Sequence, residues 1–464
     1  MEIPISLIDS LMGTQGFDKE AFEKVHLSGE QNTSIRFNNR KSVNSSNIFP
    51  IGNNNEAVVI SPVLWNVNGC YLSERPSFTA DPLFHGGAYY VQEASSMFLE
   101  EAVMQSIELA EPIRVLDLCA APGGKSTLLQ SLISDKSILV SNEVIKSRVT
   151  ILSENITKWG ADNVIVTNND PKDFQRLPGY FDLIVVDAPC SGSGLFRKDP
   201  KAINEWSEQN VELCSQRQQR ILADILPALK PGGTLIYSTC SYSPAEDEEI
   251  CDWLISNCAL SAIQFQLKSA WNIIETKAPL SNANGYRFYP DKLKGEGFFI
   301  AAFRKENSAE TDSRPLSAKG KSERLTSKET EVVKPWLSKV DDFFFIKQHD
   351  EVIAIPLHME NDLAIFQSAL YIKKAGVKLG VIIRNELIPA HELALSNIIN
   401  PLISAIEVDK ATALQYLRKQ EISLSSNAKG WILITYLQIR LGWVKVLPNR
   451  INNYYPKDWR IINK

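Results

Sequence analysis

From Leu83 to Arg304 the apolar positions alternate between two periods, short β-branched runs and longer amphipathic stretches. The runs Ile113–Leu118, Ile138–Ser141, Asn163–Thr167, Phe181–Val186 and Thr234–Thr239 read as strands with both faces covered. Between them the spacing predicts helices over Lys125–Ile133, Ile145–Trp159 (stopping at Gly160), Gln209–Leu229 and Ala245–Ile255. Lys230-Pro-Gly-Gly reads as the cap and breaker of the third of these helices. A late hairpin, Tyr286-Arg-Phe-Tyr with Gly297-Phe-Phe-Ile-Ala-Ala-Phe, closes the sheet. Repeated β-α units of this length predict an α/β, doubly wound parallel sheet. Upstream, Ile5, Leu7, Ile8 and Leu11 mark an amphipathic helix, and a second helix lies around Glu20–Lys24. Downstream, Phe343-Phe-Phe-Ile, Val352-Ile-Ala-Ile-Pro and Trp431-Ile-Leu-Ile-Thr-Tyr read as strands of a separate α+β module. No internal repeat is found.

A chain of 464 residues exceeds one compact core. The pattern divides it into an N-terminal extension (1–80), a central domain (81–305), a linker (306–340) and a C-terminal module (341–464). The linker assignment rests on the Ser-, Thr-, Lys- and Glu-rich stretch from Glu306 to about Lys334. Composition is that of a soluble globular protein, with 44% apolar and 22% charged residues. Neither a bilayer-spanning run nor a signal-peptide pattern is present, so the expected location is cytoplasmic, with no membrane association. Seven cysteines without a Cys-x-x-Cys pair argue against a zinc ribbon or redox dithiol and for free thiols.

Net charge is −5, but its distribution is uneven. Nine Lys and Arg stand against Glu421 and Asp458 between Gln415 and Lys464, interleaved with Tyr416, Trp431, Tyr436, Trp443, Tyr454, Tyr455 and Trp459. Cations among aromatics can contact phosphates and stack on bases. The alternative, aromatics in the core of a small β domain with cations on its solvated face, is no weaker. A second cationic stretch, Ser34-Ile-Arg-Phe-Asn-Asn-Arg-Lys41, would share with the tail in phosphate recognition.

Candidate chemistry sits at the predicted strand ends, where open α/β sheets place ligands. Val115-Leu-Asp-Leu-Cys-Ala-Ala-Pro-Gly-Gly-Lys-Ser-Thr127 offers three readings. A P-loop needs glycine where Cys119 stands, and the dinucleotide fingerprint Gly-x-Gly-x-x-Gly is absent. The third is S-adenosylmethionine, whose methionine portion suits a close-approaching turn built from Cys119, Ala120, Ala121, Pro122, Gly123, Gly124 and Lys125. Glu143 would then accept from the ribose hydroxyls, and Asp170 lies where an adenine contact is expected. Singly, each acid is better explained as a cap or turn residue. Three at successive strand ends (Glu143, Asp170, Asp187) favour a shared site. Cys190, just beyond Asp187 on the same strand end, and Cys240, at the end of the next strand, suggest nucleophilic chemistry beside the cofactor. Cys70, Cys214, Cys251 and Cys258 fall at ordinary helical or loop positions, where a buried inert thiol is the simpler reading.

Asp117-x-Cys-Ala-Ala-Pro-Gly-Gly-Lys125, Asp187-Ala-Pro-Cys-Ser-Gly-Ser-Gly194, Arg197-Lys-Asp-Pro200 and Ser238-Thr-Cys-Ser241 together resemble the Sun-type RNA cytosine-5 methyltransferases. Tyr90-Val-Gln-Glu-Ala-Ser-Ser-Met97 and Ser34-Ile-Arg-Phe-Asn38 resemble that family's pre-core and N-terminal elements, so the likeness covers about residues 30–305. Ala375-Gly-Val-Lys-Leu-Gly and Asn449-Arg-Ile-Asn-Asn-Tyr-Tyr-Pro456 are similar to the PUA-like C-terminal domain of bacterial small-subunit rRNA methyltransferases. The resemblance implies a class I, Rossmann-like methyltransferase domain between an N-terminal α+β extension and a PUA-like RNA-binding module. It assigns the nucleophile to Cys240, product release to Cys190, a base or cofactor contact to Asp187, and the cofactor carboxylate to Lys125. Arg197 and Lys198 would meet the RNA backbone. Asp247, Glu248 and Glu249 are read only as acids enriching the first turn of a helix.

The implied activity is S-adenosylmethionine-dependent C5-methylation of cytosine in structured RNA. The substrate is read as small-subunit (16S) rRNA or the small ribosomal subunit, the protein acting as a monomer and not on DNA. The alternatives are a tRNA methyltransferase, or an RNA-binding assembly factor that keeps the fold without turnover.

Overall fold

The computed structural model describes residues 3–41, 60–307, 322–424 and 429–462. Its centre is a parallel sheet of five strands: β1 (Arg114–Asp117), β2 (Ile138–Asn142), β3 (Val164–Thr167), β4 (Phe181–Asp187) and β5 (Leu229–Thr239). β1 lies between β2 and β4, with β3 outside β2 and β5 outside β4. Two further strands, β6 (Asn284–Phe288) and β7 (Phe298–Lys305), run antiparallel to each other, and β7 is antiparallel to β5. The sheet is therefore mixed, not wholly parallel. The topology is Rossmann-like, with crossover helices α1 (Gly124–Leu132), α2 (Lys146–Trp159), α3 (Glu208–Ile225) and α4 (Glu248–Asn257).

The strands read as continuous apolar runs because alternate residues feed two cores. Leu116, Val140, Ile165, Ile184, Leu235 and Phe303 point into one buried cluster. Val115, Leu139, Val166, Val185, Ile236 and Ala302 point into the other. Burying both faces removes the polar alternation of a half-exposed strand. Gly160, at φ 90°, ends α2 in the left-handed conformation a glycine cap supplies.

Element boundaries differ from the sequence reading at two helices: α4 runs Glu248–Asn257 rather than Ala245–Ile255, and the larger change is in α3. α3 stops at Ile225, before Leu226-Pro227, and Lys230-Pro-Gly-Gly lies inside β5. Pro227 has no N–H and disfavours helical backbone before it, so it breaks the helix earlier than the second proline.

The N-terminal region forms a four-stranded sheet whose strand Tyr89–Val91 pairs with Thr33–Phe37. Two of its cations, Arg36 and Lys41, face inward. Arg36 is buried over Trp159, donating to Gln92 Oε1 (2.8 Å) and, from α1, to Thr127 Oγ1 (2.7 Å). Lys41 Nζ donates to the carbonyls of Gly86 and Lys158. The expected phosphate-contacting role does not fit these two: they dock the extension onto the central domain, and burial lowers the pKa of Arg36 to about 9.

Residues 308–321 of the expected linker lie outside the described residues. Ser327–Val333 is a helix with a reciprocal Thr326–Glu329 capping box. The C-terminal region is not a free-standing neighbour. Leu363 and Phe366 of its helix Glu360–Ala369 join the core cluster of the central domain. Arg114 Nε reaches Asp362 Oδ1 at 2.6 Å. Strand β8 (Ile372–Ala375) then pairs antiparallel with β3 and extends the central sheet by one strand. Among the described residues no helix is long and apolar enough to cross a membrane.

Candidate active site

The β4–β5 register brings the two cysteines together. Asp187 lies opposite Ser238, and Ala188 N donates to Ser238 O at 2.8 Å. The chain then leaves both strand ends in the same direction, and Cys190 Sγ and Cys240 Sγ come to rest 3.0 Å apart. Both are free thiols. The hydrogen bond with Cys240 and then burial push the Cys190 thiol well above its ordinary pKa.

Glycine geometry locks this pair. Gly194 N donates to Cys240 O (2.9 Å), and Gly297 N to Gly194 O (3.0 Å). A Cβ on Gly194 would meet Gly297 O at 2.5 Å and Cys240 O at 2.8 Å, so only glycine fits between them. The Ser-Gly-Ser-Gly segment is thereby pressed against the Cys240 backbone.

A buried carboxylate, that of Glu246, ties the two cysteine loops to each other. It accepts from Ser191 N (2.8 Å) and Ser191 Oγ (2.5 Å), just after Cys190, and from Ser241 Oγ (2.6 Å), just after Cys240. Gln218 Nε2 of α3 supplies a fourth contact at 3.2 Å. Burial raises the Glu246 pKa against these hydrogen bonds. Sequence reasoning missed this residue; its position five and six residues beyond Ser241 and Cys240 was the available signal. Glu248 and Glu249 do open the first turn of α4, with Asp247 at its N-cap, but Asp247 and Glu248 are also buried against Arg287. Thr239 Oγ1 donates to Asp247 Oδ1 at 2.6 Å, which anchors the approach to Cys240.

Asp187 and Lys125 meet beside the thiols. Lys125 Nζ is 2.8 Å from Asp187 Oδ2, and Ser238 Oγ donates to Asp187 Oδ1 at 2.8 Å. Burial works to lower the Lys125 pKa, but Asp187 outweighs it and the net shift is upward. A cavity of about 270 Å³ opens here, lined among others by Cys119, Ala120, Ala121, Pro122, Gly124, Lys125, Asp187, Lys198 and Cys240. Its far wall is Tyr90, Gln92, Glu93 and Glu296. Burial pushes the Glu296 carboxyl up to about 7, a wall residue with no sequence signal.

The residues present fit S-adenosylmethionine. Gly123 turns at φ 114°, and a Cβ on Gly124 would come within 3.3 Å of Tyr90, leaving the backbone bare toward the cavity. Two buried carboxylate oxygens, Asp117 Oδ1 and Glu143 Oε2, accept no hydrogen bond; the latter is 3.3 Å from Arg148 Nη1. The Glu143 acceptor, at the end of β2, suits a ligand's vicinal hydroxyls, whereas Asp117 is buried behind the cavity lining. Glu143 Oε1 also accepts from Ile145 N at 2.9 Å. Glu143 and Asp170 stand outside the residues lining the cavity, and Asp170 caps the short helix Pro171–Arg176 by accepting from Lys172 N.

Asp117 carries a pH consequence. Burial raises its carboxyl to about 7, partly offset by the 2.6 Å bond from Ser126 Oγ. The folded state thus holds a proton that the unfolded state releases. Its contribution to stability is complete below the unfolded pKa and is lost as pH rises through about 7. Thermal melts of cofactor-free protein are expected to lose midpoint across that window, and Asp117→Asn to flatten the loss. Parallel profiles for the two proteins would refute the assignment.

Two expected RNA contacts separate. Lys198 is exposed at the cavity mouth. Arg197 is buried, donating to Gly295 O and Glu30 O with Glu296 at 3.8 Å, so it holds the loop and has no free face for phosphate. In the tail, Tyr416, Trp443 and Tyr455 are core residues, as the alternative reading had it. Trp431 and Tyr454 are partly exposed, with Lys445 Nζ 5.1 Å from the Trp431 ring.

Family models match three segments: the N-terminal domain of 16S rRNA methyltransferase RsmF (residues 3–94), 16S rRNA methyltransferase RsmB/F (104–304) and the methyltransferase RsmF PUA domain (403–461). The chain is 31% identical to ribosomal RNA small subunit methyltransferase F of Shewanella woodyi, over 86% of this chain and 84% of that one. It is 32% identical to the Aeromonas salmonicida protein of the same name, over 80% and 79%. A methyltransferase homolog protein from Pyrococcus horikoshii superposes with a TM-score of 0.51 at 28% identity, covering 65% of this chain and 100% of that one. NSun6 from the same organism, solved with SFG, shares the fold at 21% identity and a TM-score of 0.52, covering 65% and 98%. The chain belongs to the ribosomal RNA small subunit methyltransferase F (RsmF) family and is an S-adenosylmethionine-dependent RNA methyltransferase.

Proposed function

We propose that this protein methylates C5 of a cytosine in 16S rRNA through a transient bond between Cys240 and C6. The observation that carries the reading is the pair of thiols 3.0 Å apart, with Cys240 on the cavity wall beside the Asp187–Lys125 ion pair. C5 of cytosine is a poor nucleophile. Addition of the Cys240 sulfur at C6 makes the ring an enamine whose C5 carries the electron density. S-adenosylmethionine supplies the methyl group. Loss of the C5 proton then re-forms the C5–C6 double bond and expels the Cys240 sulfur.

The chain's own groups support each part. Its bond to Cys240 and its burial raise the Cys190 pKa and hold it as a thiol, and Cys190 in that form can donate to the Cys240 sulfur 3.0 Å away. A donor aimed at a departing thiolate assists its release. Lys125, raised by Asp187, stays cationic and can hold the cofactor carboxylate, while Asp187 would contact base or cofactor amine. Cys119 to Gly124, with Glu143, would cradle the remainder of the cofactor. Asp170, engaged as a cap, would reach the adenine through its loop. A paired target must be extruded to enter the cavity. The names of the relatives favour 16S rRNA over tRNA.

Bisulfite sequencing of rRNA from cells lacking the gene is expected to show one or more 16S cytosines losing protection, restored by the wild-type gene. Unchanged protection across 16S rRNA, with a loss in tRNA, would transfer the activity to the alternative substrate. No loss in either would refute the cytosine-5 reading.

A further inference from the structure

The C-terminal region meets the cofactor half of the sheet along strand β8 and at the residue before it. Strand β8 pairs with β3, and the residue just before it, Tyr371, meets the Asn168–Asn169–Asp170 loop at the tip of β3. The Asn169 side chain grips the Tyr371 backbone twice: Tyr371 N donates to Oδ1 (2.9 Å), and Nδ2 donates to Tyr371 O (3.1 Å). Tyr371 O also accepts from Asn168 N at 3.1 Å. The Asn169 backbone is gripped in turn by a second asparagine. Asn169 N donates to Asn142 Oδ1 (3.0 Å), and Asn142 Nδ2 donates to Asn169 O (3.0 Å).

Asn142 ends β2 and reaches the cofactor loop. Its Nδ2 donates to Leu118 O (3.1 Å), and its carbonyl accepts from Ala120 N (2.8 Å). Asn168 Nδ2 donates to the carbonyls of Glu143 (2.7 Å) and Val144 (3.0 Å). Asn142, Thr167 and Asn169 are buried, so these bonds are not exchanged for water without cost. The start of the cofactor loop, the Glu143 backbone and the 168–170 loop are thereby linked to the backbone at residue 371, some two hundred residues beyond Asn169.

We propose that Asn169 is a positioning residue through which docking of the C-terminal region holds the cofactor site in its binding geometry. In this role the C-terminal region acts on S-adenosylmethionine affinity as well as on RNA. The inference rests on the cofactor and the fold, not on the cytosine-5 reading. Removing the Asn169 amide leaves the Tyr371 N–H and carbonyl without their side-chain partner and frees the 168–170 loop.

The test uses the full-length protein. Calorimetric titration with S-adenosylmethionine is expected to show Asn169→Ala binding about five- to twenty-fold more weakly than wild type. Affinity for purified 16S rRNA without cofactor should stay within twofold. Lys373→Ala, on the exposed face of the same strand, should match wild type in both. If Asn169→Ala does not fold, Asn169→Asp takes its place, retaining the acceptor for Tyr371 N and losing the donor to Tyr371 O. Cofactor affinity within twofold of wild type would overturn the proposal. So would equal weakening of cofactor and RNA binding, since that marks general destabilisation.

Discussion

Cys190→Ala is expected to accumulate a covalent RNA–protein adduct that survives denaturing electrophoresis, while Cys240→Ala forms none. The two sulfurs are 3.0 Å apart at neighbouring strand ends, so geometry alone gives them equal claim to the base. Their environments separate them. Cys240 lines the cavity, whereas Cys190 is held as a thiol by its bond to Cys240 and by burial. Without the Cys190 donor the Cys240 sulfur must leave unassisted, and the adduct outlives the assay. Without Cys240 there is no nucleophile, and turnover should fall on the order of 10⁴-fold or more. An adduct in the Cys240 variant and none in the Cys190 variant would exchange the two roles. Absence of an adduct in both would remove covalent catalysis.

The second large effect is expected at a residue that need not touch the base. Glu246→Ala strands the Ser191 N–H and two serine hydroxyls that converge on that carboxylate in a buried site. Each unsatisfied buried group costs about 1–3 kcal/mol, and the two cysteine loops lose their common anchor. A displacement of about 1 Å at a reacting group can cost about 10²-fold. Single-turnover methylation should therefore slow by about 10²-fold. In a Cys190→Ala background, adduct formation should slow in parallel. Glu246→Gln keeps an acceptor for Ser191 N, and the serine hydroxyls can rotate to suit the amide, so its loss should stay within about tenfold. Wild-type rates in Glu246→Ala would remove the carboxylate from the mechanism.

What could be read in the chain follows from how far apart the deciding residues are. β1 to β5, α1 and the Gly160 stop were legible because contiguous residues determine them. The motif carrying the cofactor loop is likewise local. The third helix was over-extended because two prolines compete to end it, and Pro227 acts first. Charged residues were the weakest guide. Arg36, Lys41 and Arg197 look like phosphate ligands in a one-dimensional list, yet each meets carbonyl or side-chain acceptors contributed from distant segments. Asp247 and Glu248 look like solvated helix acids until Arg287 arrives from β6. Burying a charge is tolerated only with such partners, and a sequence does not show which partners converge.

The sequence by itself determined the parallel sheet, the glycine-rich turn and the presence of two cysteines at strand ends, because each depends on local periodicity and turn chemistry. Only the tertiary structure decided that those cysteines touch, that Glu246 binds their loops together, and that a strand from the C-terminal region completes the sheet beside the cofactor loop. Those outcomes depend on strand register and on hydrogen-bond partners far apart in the chain, which are fixed only when the separate elements pack.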